Sequence, residues 1–125
     1  MKQKNSKSLL EKHLEELSVE DLNFKKMNGL IPVIAQEVDS ETVLMLGYVN
    51  LDAIKKTQDT GFAHYWSRSR KIIWKKGERS GHLQKIVEVL VDCDRDTLIY
   101  KVTQKGPACH TGKPNCFFNR LIIKK

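Results

Sequence analysis

The chain has 125 residues, 40% of them hydrophobic and 30% charged, which suits a single globular domain and argues against a disordered chain. Its net charge of +7, from 22 basic and 15 acidic side chains, attracts polyanions, either nucleic acid or a multiply phosphorylated small molecule. No apolar run approaches the ~18 residues of a membrane helix, and no secretory h-region follows the basic start, so a cytoplasmic protein is expected.

Residues 1–20 read as a helical extension. Leu9, Leu10, Leu14 and Leu17 share helical spacing and predict an amphipathic helix over Ser8–Leu17. Ser18 and Asp21 form a helix-start signal for a short turn that ends at Asn28-Gly29. Leu30–Val38 is β-rich, and Pro32 removes a backbone donor, so the strand should start there or lie at an edge. Val43–Tyr48 completes a hairpin turning at Asp39-Ser40-Glu41. Asn50 caps a predicted helix over Leu51–Gln58, with Gly61 as its stop.

From Phe62 the pattern is β. Ala63–Ser67 and Ile72–Lys75 are predicted strands around the basic turn Arg68–Lys71, and Lys76–His82 is a polar loop. Lys85–Asp92 and Thr97–Thr103 alternate apolar and polar residues and form the clearest hairpin, turning at Asp94-Arg95-Asp96. After Gly106-Pro107 the chain reads as loop to Asn115, and Phe117–Ile123 is a predicted closing strand.

Three constellations carry chemistry. The three cysteines, Cys93, Cys109 and Cys116, are an odd set that suits ligands or free thiols in a reducing compartment. Their spacing is not that of a zinc ribbon or finger. Three thiolates leave one zinc position open, as a catalytic zinc requires. The plainer reading makes Cys93 a small buried hydrophobe. Against it, Cys93 falls at a turn between two aspartates. His110 is a possible fourth ligand, a general base beside the metal, or a histidine that only shapes its loop.

Asp92, Asp94 and Asp96 alternate, so on extended chain they share one side, where three carboxylates repel unless a cation joins them. Magnesium suits that set; a solvated acidic turn is the alternative, and calcium is disfavoured because the segment lacks the EF-hand pattern. Trp66, Ser67, Arg68, Ser69, Arg70, Trp74, Lys76, Glu78 and Ser80 form the third set. Arginines and hydroxyls suit phosphate, and flat indoles suit a stacked purine. The same basic, aromatic surface also fits a nucleic-acid-binding module with a structural zinc. His82, in a polar loop, is placed to reach a ligand and titrates near neutrality. His64, in a strand, reads more simply as a core histidine.

These residues resemble the phosphoribosyl-AMP cyclohydrolase family. The resemblance rests on Gly29–Val33, Val43–Tyr48, Gly61–Arg70, Trp74–Glu78, Ser80–His82, Asp92–Asp96 and Gly106–Gly112, in unbroken order from about Leu22 to Phe118. It implies an enzyme of histidine biosynthesis that hydrolyses the adenine ring of 1-(5-phosphoribosyl)-AMP between N1 and C6. It implies zinc on Cys93, Cys109 and Cys116, the first from one subunit and the other two from its dimer partner, and magnesium on Asp92, Asp94 and Asp96. His110 or His82 would manage protons beside water activated by zinc. Magnesium, Arg68, Arg70 and Lys76 would hold phosphates. Some family chains carry a second, pyrophosphohydrolase domain, an activity expected here on a separate polypeptide. The expected fold is α+β and β-rich: a bent, barrel-like antiparallel sheet capped by the Leu51–Gln58 helix, in an intertwined homodimer. Residues 21–125 would be the cyclohydrolase domain.

Overall fold

The computed structural model describes residues 14–124. The predicted helix over Ser8–Leu17 lies mostly outside them, and its described end, Leu14–Leu17, has no regular structure. A 3-10 turn follows at Val19–Asp21, anchored by the Ser18 backbone N–H and hydroxyl, which both donate to Asp21 Oδ2 at 2.9 and 3.2 Å.

Six strands and one helix make the domain. In chain order they are β1 (Ile31–Glu37), β2 (Val43–Val49), α1 (Leu51–Thr60), β3 (His64–Ser67), β4 (Ile72–Lys75), β5 (Gln84–Val91) and β6 (Leu98–Gln104). The fold is α+β and β-rich, as the sequence predicts. It forms two open sheets, one of four strands ordered β2-β1-β6-β5 and one of β3-β4.

The large sheet is mixed rather than antiparallel. β1 pairs antiparallel with β2, and β5 with β6, but β1 and β6 run parallel, from Val33↔Leu98 to Glu37↔Val102. The antiparallel expectation came from hairpins, which local alternation reveals; a parallel pair needs a long crossover, here the whole stretch from β2 to β5. Pro32 also sits differently from expectation, as the second residue of a central strand. Pairing to β6 begins only at Val33, so Pro32 lies outside the doubly bonded stretch.

Helix α1 starts where Asn50 Oδ1 accepts from Ala53 N at 2.9 Å and stops at Gly61, whose φ of 79° is the left-handed cap. It packs chiefly against β3 instead of roofing the large sheet. Thr57 explains the seat: its hydroxyl accepts from His64 N at 2.9 Å and lies 3.1 Å from the Tyr100 hydroxyl. Gly47 gives β3 its close approach to β2, since a Cβ there would meet the Tyr65 ring at 2.6 Å. Tyr65, Tyr100, Ile31, Val33 and Leu98 form the centre of the core. No closing strand forms at Phe117–Ile123. These residues have no regular structure and stand in water, Leu121 and Ile122 at 83% and 84% exposure. No helix among the described residues is long and apolar enough to cross a membrane.

Candidate functional site

The seven-residue strand β6, about 20 Å long, separates two groups of candidate ligands. Before it, the β5–β6 turn carries Asp92, Cys93, Asp94 and Asp96. After it, the loop from Gly106 carries Cys109, His110 and Cys116.

The turn is built by Asp92, whose Oδ1 accepts from Asp96 N at 3.0 Å and Thr97 N at 3.2 Å. Arg95 takes a left-handed φ of 65°, which lets the chain reverse tightly. One carboxylate oxygen from each of Asp92, Asp94 and Asp96 lies within 4.8 Å of the others. The sequence missed their neighbour. Lys26 Nζ sits 2.6 Å from Asp96 Oδ2 and 3.1 Å from Asp94 Oδ2, carried there by a segment whose Asn23 N donates to Arg95 O at 2.8 Å. Its ammonium, with hydrogen bonds from the neighbouring carboxyls, pulls Asp96 down to about 2, and the same pairing raises Lys26. Carboxylates that already gather a cation fit a hard metal ion, with Lys26 occupying part of its place. Cys93 is exposed in this turn, as a ligand at a turn would be and a core cysteine would not.

In the second group, Cys109 is buried and Cys116 exposed. The loop is tied by Ala108 N to Pro114 O and Cys109 N to Lys113 O, both 3.2 Å, and by Cys116 N to Leu44 O at 2.8 Å. The two thiols are near enough to shift each other's ionisation. The Thr111 hydroxyl donates to Cys109 Sγ at 3.1 Å, and this bond lowers the Cys109 thiol pKa. Burial, then the neighbouring Cys109, raises Cys116. Two converging sulfurs, one already favouring the thiolate, fit half of a soft-metal site. The half-buried Lys76 donates to Ala108 O, and burial lowers its pKa. Lys76 thus stands beside the thiol loop. Cys93 remains at the other end of β6.

His82 belongs to the second group as well. Its ring lies against Gly106, where a Cβ would come within 2.5 Å of Cδ2. A buried chain of amides holds it: Tyr65 OH donates to Gln84 Oε1 at 2.6 Å, Gln84 Nε2 to Gln104 Oε1 at 2.9 Å, and Gln104 Nε2 to His82 O at 3.3 Å. Sequence patterning leaves Gln84 and Gln104 just outside the predicted strands Lys85–Asp92 and Thr97–Thr103, and nothing in their spacing marks them. The Ser80 hydroxyl accepts from His82 N at 3.2 Å. His110 is exposed in the turn that Gly112 N closes onto Cys109 O at 3.0 Å. His64 is a satisfied core histidine, with Nδ1 2.9 Å from Phe62 O.

The basic turn sits between β3 and β4. Arg68 stacks over the Tyr48 ring at 3.9 Å, and Ser67 Oγ accepts from Arg70 N at 3.1 Å. Arg68, Ser69 and Arg70 are exposed, Trp66 is half-buried, and Glu78 is exposed in the following loop. Trp74 packs one way on Tyr65, ring centroids 5.1 Å apart, so less of it is free to receive a base.

The fold and these groups define a small α+β protein that presents thiols, carboxylates and cationic side chains at two ends of one sheet. Residues 45–118 match the sequence model of phosphoribosyl-AMP cyclohydrolase. The phosphoribosyl-AMP cyclohydrolase of Archaeoglobus fulgidus is 63% identical over 93 residues, 74% of this chain and 86% of that protein. That of Cenarchaeum symbiosum is 46% identical over 107 residues, 86% of this chain and 99% of that one. The histidine biosynthesis bifunctional protein HisIE of Aquifex aeolicus is 66% identical over 94 residues, which span 74% of this chain but 46% of that longer protein. The chain belongs to the phosphoribosyl-AMP cyclohydrolase family. It is an enzyme, a hydrolase.

Proposed function

We propose that this protein opens the adenine ring of 1-(5-phosphoribosyl)-AMP in histidine biosynthesis, in the cytoplasm, as a homodimer that uses zinc and magnesium. One observation carries the dimer: Cys109 and Cys116 form an incomplete thiol pair at one end of β6, while Cys93 is exposed at the other. A second copy, docked with its β5–β6 turn against the thiol pair, completes a three-sulfur set twice over. Family membership supports the reaction.

In this reading water adds across the N1–C6 bond, a carbonyl forms at C6, and N1 takes a proton. Zinc on the three sulfurs supplies the Lewis acidity that makes water nucleophilic near neutral pH. Cys109, Cys116 and the partner's Cys93 hold it. His110 follows Cys109 in the loop and the His82 ring lies against Gly106 at the loop's start, and these two move the protons. His82 is the better positioned, because Gly106 and the Gln84–Gln104 pair fix its place. Asp92, Asp94 and Asp96 would hold magnesium, which would supply positive charge for the phosphates, and Arg68 and Arg70 offer guanidinium forks of the same complementarity. Ser67, Ser69 and Ser80 add hydroxyl donors, Glu78 a carboxylate, and Trp66 with the free part of Trp74 a flat surface for the base. Lys76 keeps positive charge beside the sulfurs.

Turnover of phosphoribosyl-AMP, followed by its absorbance change, tests this directly. Zinc-loaded dimer should open the ring, and chelated dimer should not. No turnover with both metals supplied would contradict the reading and turn attention to salt-sensitive nucleic-acid binding.

A further inference from the structure

The exposed C-terminal segment has no use in the reaction described above. Phe117, Phe118, Leu121, Ile122 and Ile123 are 48–84% exposed, far more apolar surface than a chain this size leaves in water without a partner. Arg120 and Lys124 make the same segment basic. Elsewhere, a cavity of about 760 Å³ opens between Leu14–Leu17 and β5. Its lining mixes apolar Leu14, Leu17, Val89, Leu90 and Val91 with the carboxylates of Glu15, Glu16, Glu88 and Asp92, against the single basic Arg95. β5 is an edge strand of the large sheet, and the cavity is also lined by Cys93.

We propose that the C-terminal segment 119–124 of one protomer seats in this cavity of a second copy, its apolar side chains against the leucines and valines of the lining and Arg120 and Lys124 toward the carboxylates. The proposal rests on the shared-sulfur reading, since only that reading brings Cys116 beside the partner's Cys93. Once it does, the residues directly after Cys116 emerge at the mouth of a cavity that Cys93 itself lines. Apolar surface meets apolar surface, and basic charge meets acidic charge, in continuity with the metal interface. The arm thereby fastens the subunits that the metal joins and covers the β5 edge beyond the Gln84–Ile86 stretch, which Gly61 and Ala63 already pair.

The test mixes two full-length preparations, one isotopically heavy and one carrying Ile122→p-benzoylphenylalanine, and maps photo-adducts in the exchanged dimer by mass spectrometry. The expected adduct lies on heavy peptides containing residues 14–17 or 88–93. Adducts on the same chain, adducts on other heavy peptides, or none at all would overturn the proposal. Deleting residues 120–125 should weaken the dimer on the order of tenfold or more; an unchanged dimer constant would overturn it too. Mixing Cys93→Ala with Cys109→Ala protein separates the two ideas. Recovered activity with no adduct removes the arm alone, whereas no recovery after proven subunit exchange removes the shared site.

Discussion

Cys93 and Cys109 lie at opposite ends of β6, one in the turn before it and the other in the loop after it. Neither end is a complete metal site. The carboxylate turn offers one exposed thiol, and the Gly106–Cys116 loop offers two, one buried and one exposed. An antiparallel arrangement of two copies about a two-fold axis, each end facing the partner's other end, would give two equal sites, the isologous geometry most homodimers adopt.

Gly106 should matter as much as His82. It holds a φ of 71° and leaves no room for a Cβ beside the His82 ring. Gly106→Ala should cost about 1–2 kcal/mol of stability. It should also displace the ring and lower kcat on the order of a hundredfold, as His82→Ala would. Urea unfolding and steady-state kinetics on both variants check this. Full activity in a Gly106→Ala protein of lowered stability would show that the ring position is not used.

Lys26 competes with a metal at the carboxylates. Its ammonium already bridges Asp94 and Asp96. Lys26→Met should therefore tighten magnesium binding in the absence of substrate by several-fold to about tenfold, the scale of one nearby charge in water. Calorimetric titration of zinc-loaded protein with magnesium measures it. Weaker or unchanged binding would mean that the ion sits elsewhere.

Much of the molecule was legible in the chain, and what was not has a common cause. The Asn50–Gly61 helix limits, the β1–β2 hairpin and the β5–β6 hairpin follow from caps, turns and alternation, all of them local. The candidate ligands Cys93, Asp92, Asp94, Asp96, Cys109 and Cys116 were visible as residue types. Nothing local revealed that β1 and β6 run parallel, or that Lys26 would land among carboxylates 68 residues away. The Gln84–Gln104 clamp on His82 exists only after β5 and β6 pair. Phe117–Ile123 has strand-forming residues but no strand beside it within one chain, so its β pattern has nothing to satisfy.

Alkaline pH should unfold the protein through its buried tyrosines. Burial pushes the Tyr65 and Tyr100 hydroxyls above the ordinary value of about 10, although the bond to Thr57 partly offsets this at Tyr100. The unfolded chain loses these protons first. Stability is thus fully present below about pH 10 and falls as pH rises beyond it. Tyr100→Phe should make that fall shallower, by up to about 1.4 kcal/mol per pH unit. At neutral pH the same change should cost about 1–2 kcal/mol, because Thr57 and the His64 carbonyl lose a partner. Urea midpoints between pH 8 and 11 report both effects. Identical slopes for the two proteins would contradict the assignment.

The shared site is tested most directly by complementation. Cys93→Ala and Cys109→Ala proteins should each be inactive, because every site in either homodimer lacks a sulfur. After subunit exchange, a heterodimer has one site built from intact Cys109, Cys116 and Cys93, and its other site lacks two sulfurs. A random mixture should then regain about a quarter of wild-type activity, half of the molecules carrying one working site of two. Recovery at that level would establish that two chains build one centre. Continued inactivity, with exchange demonstrated by mass, would show that each chain builds its own.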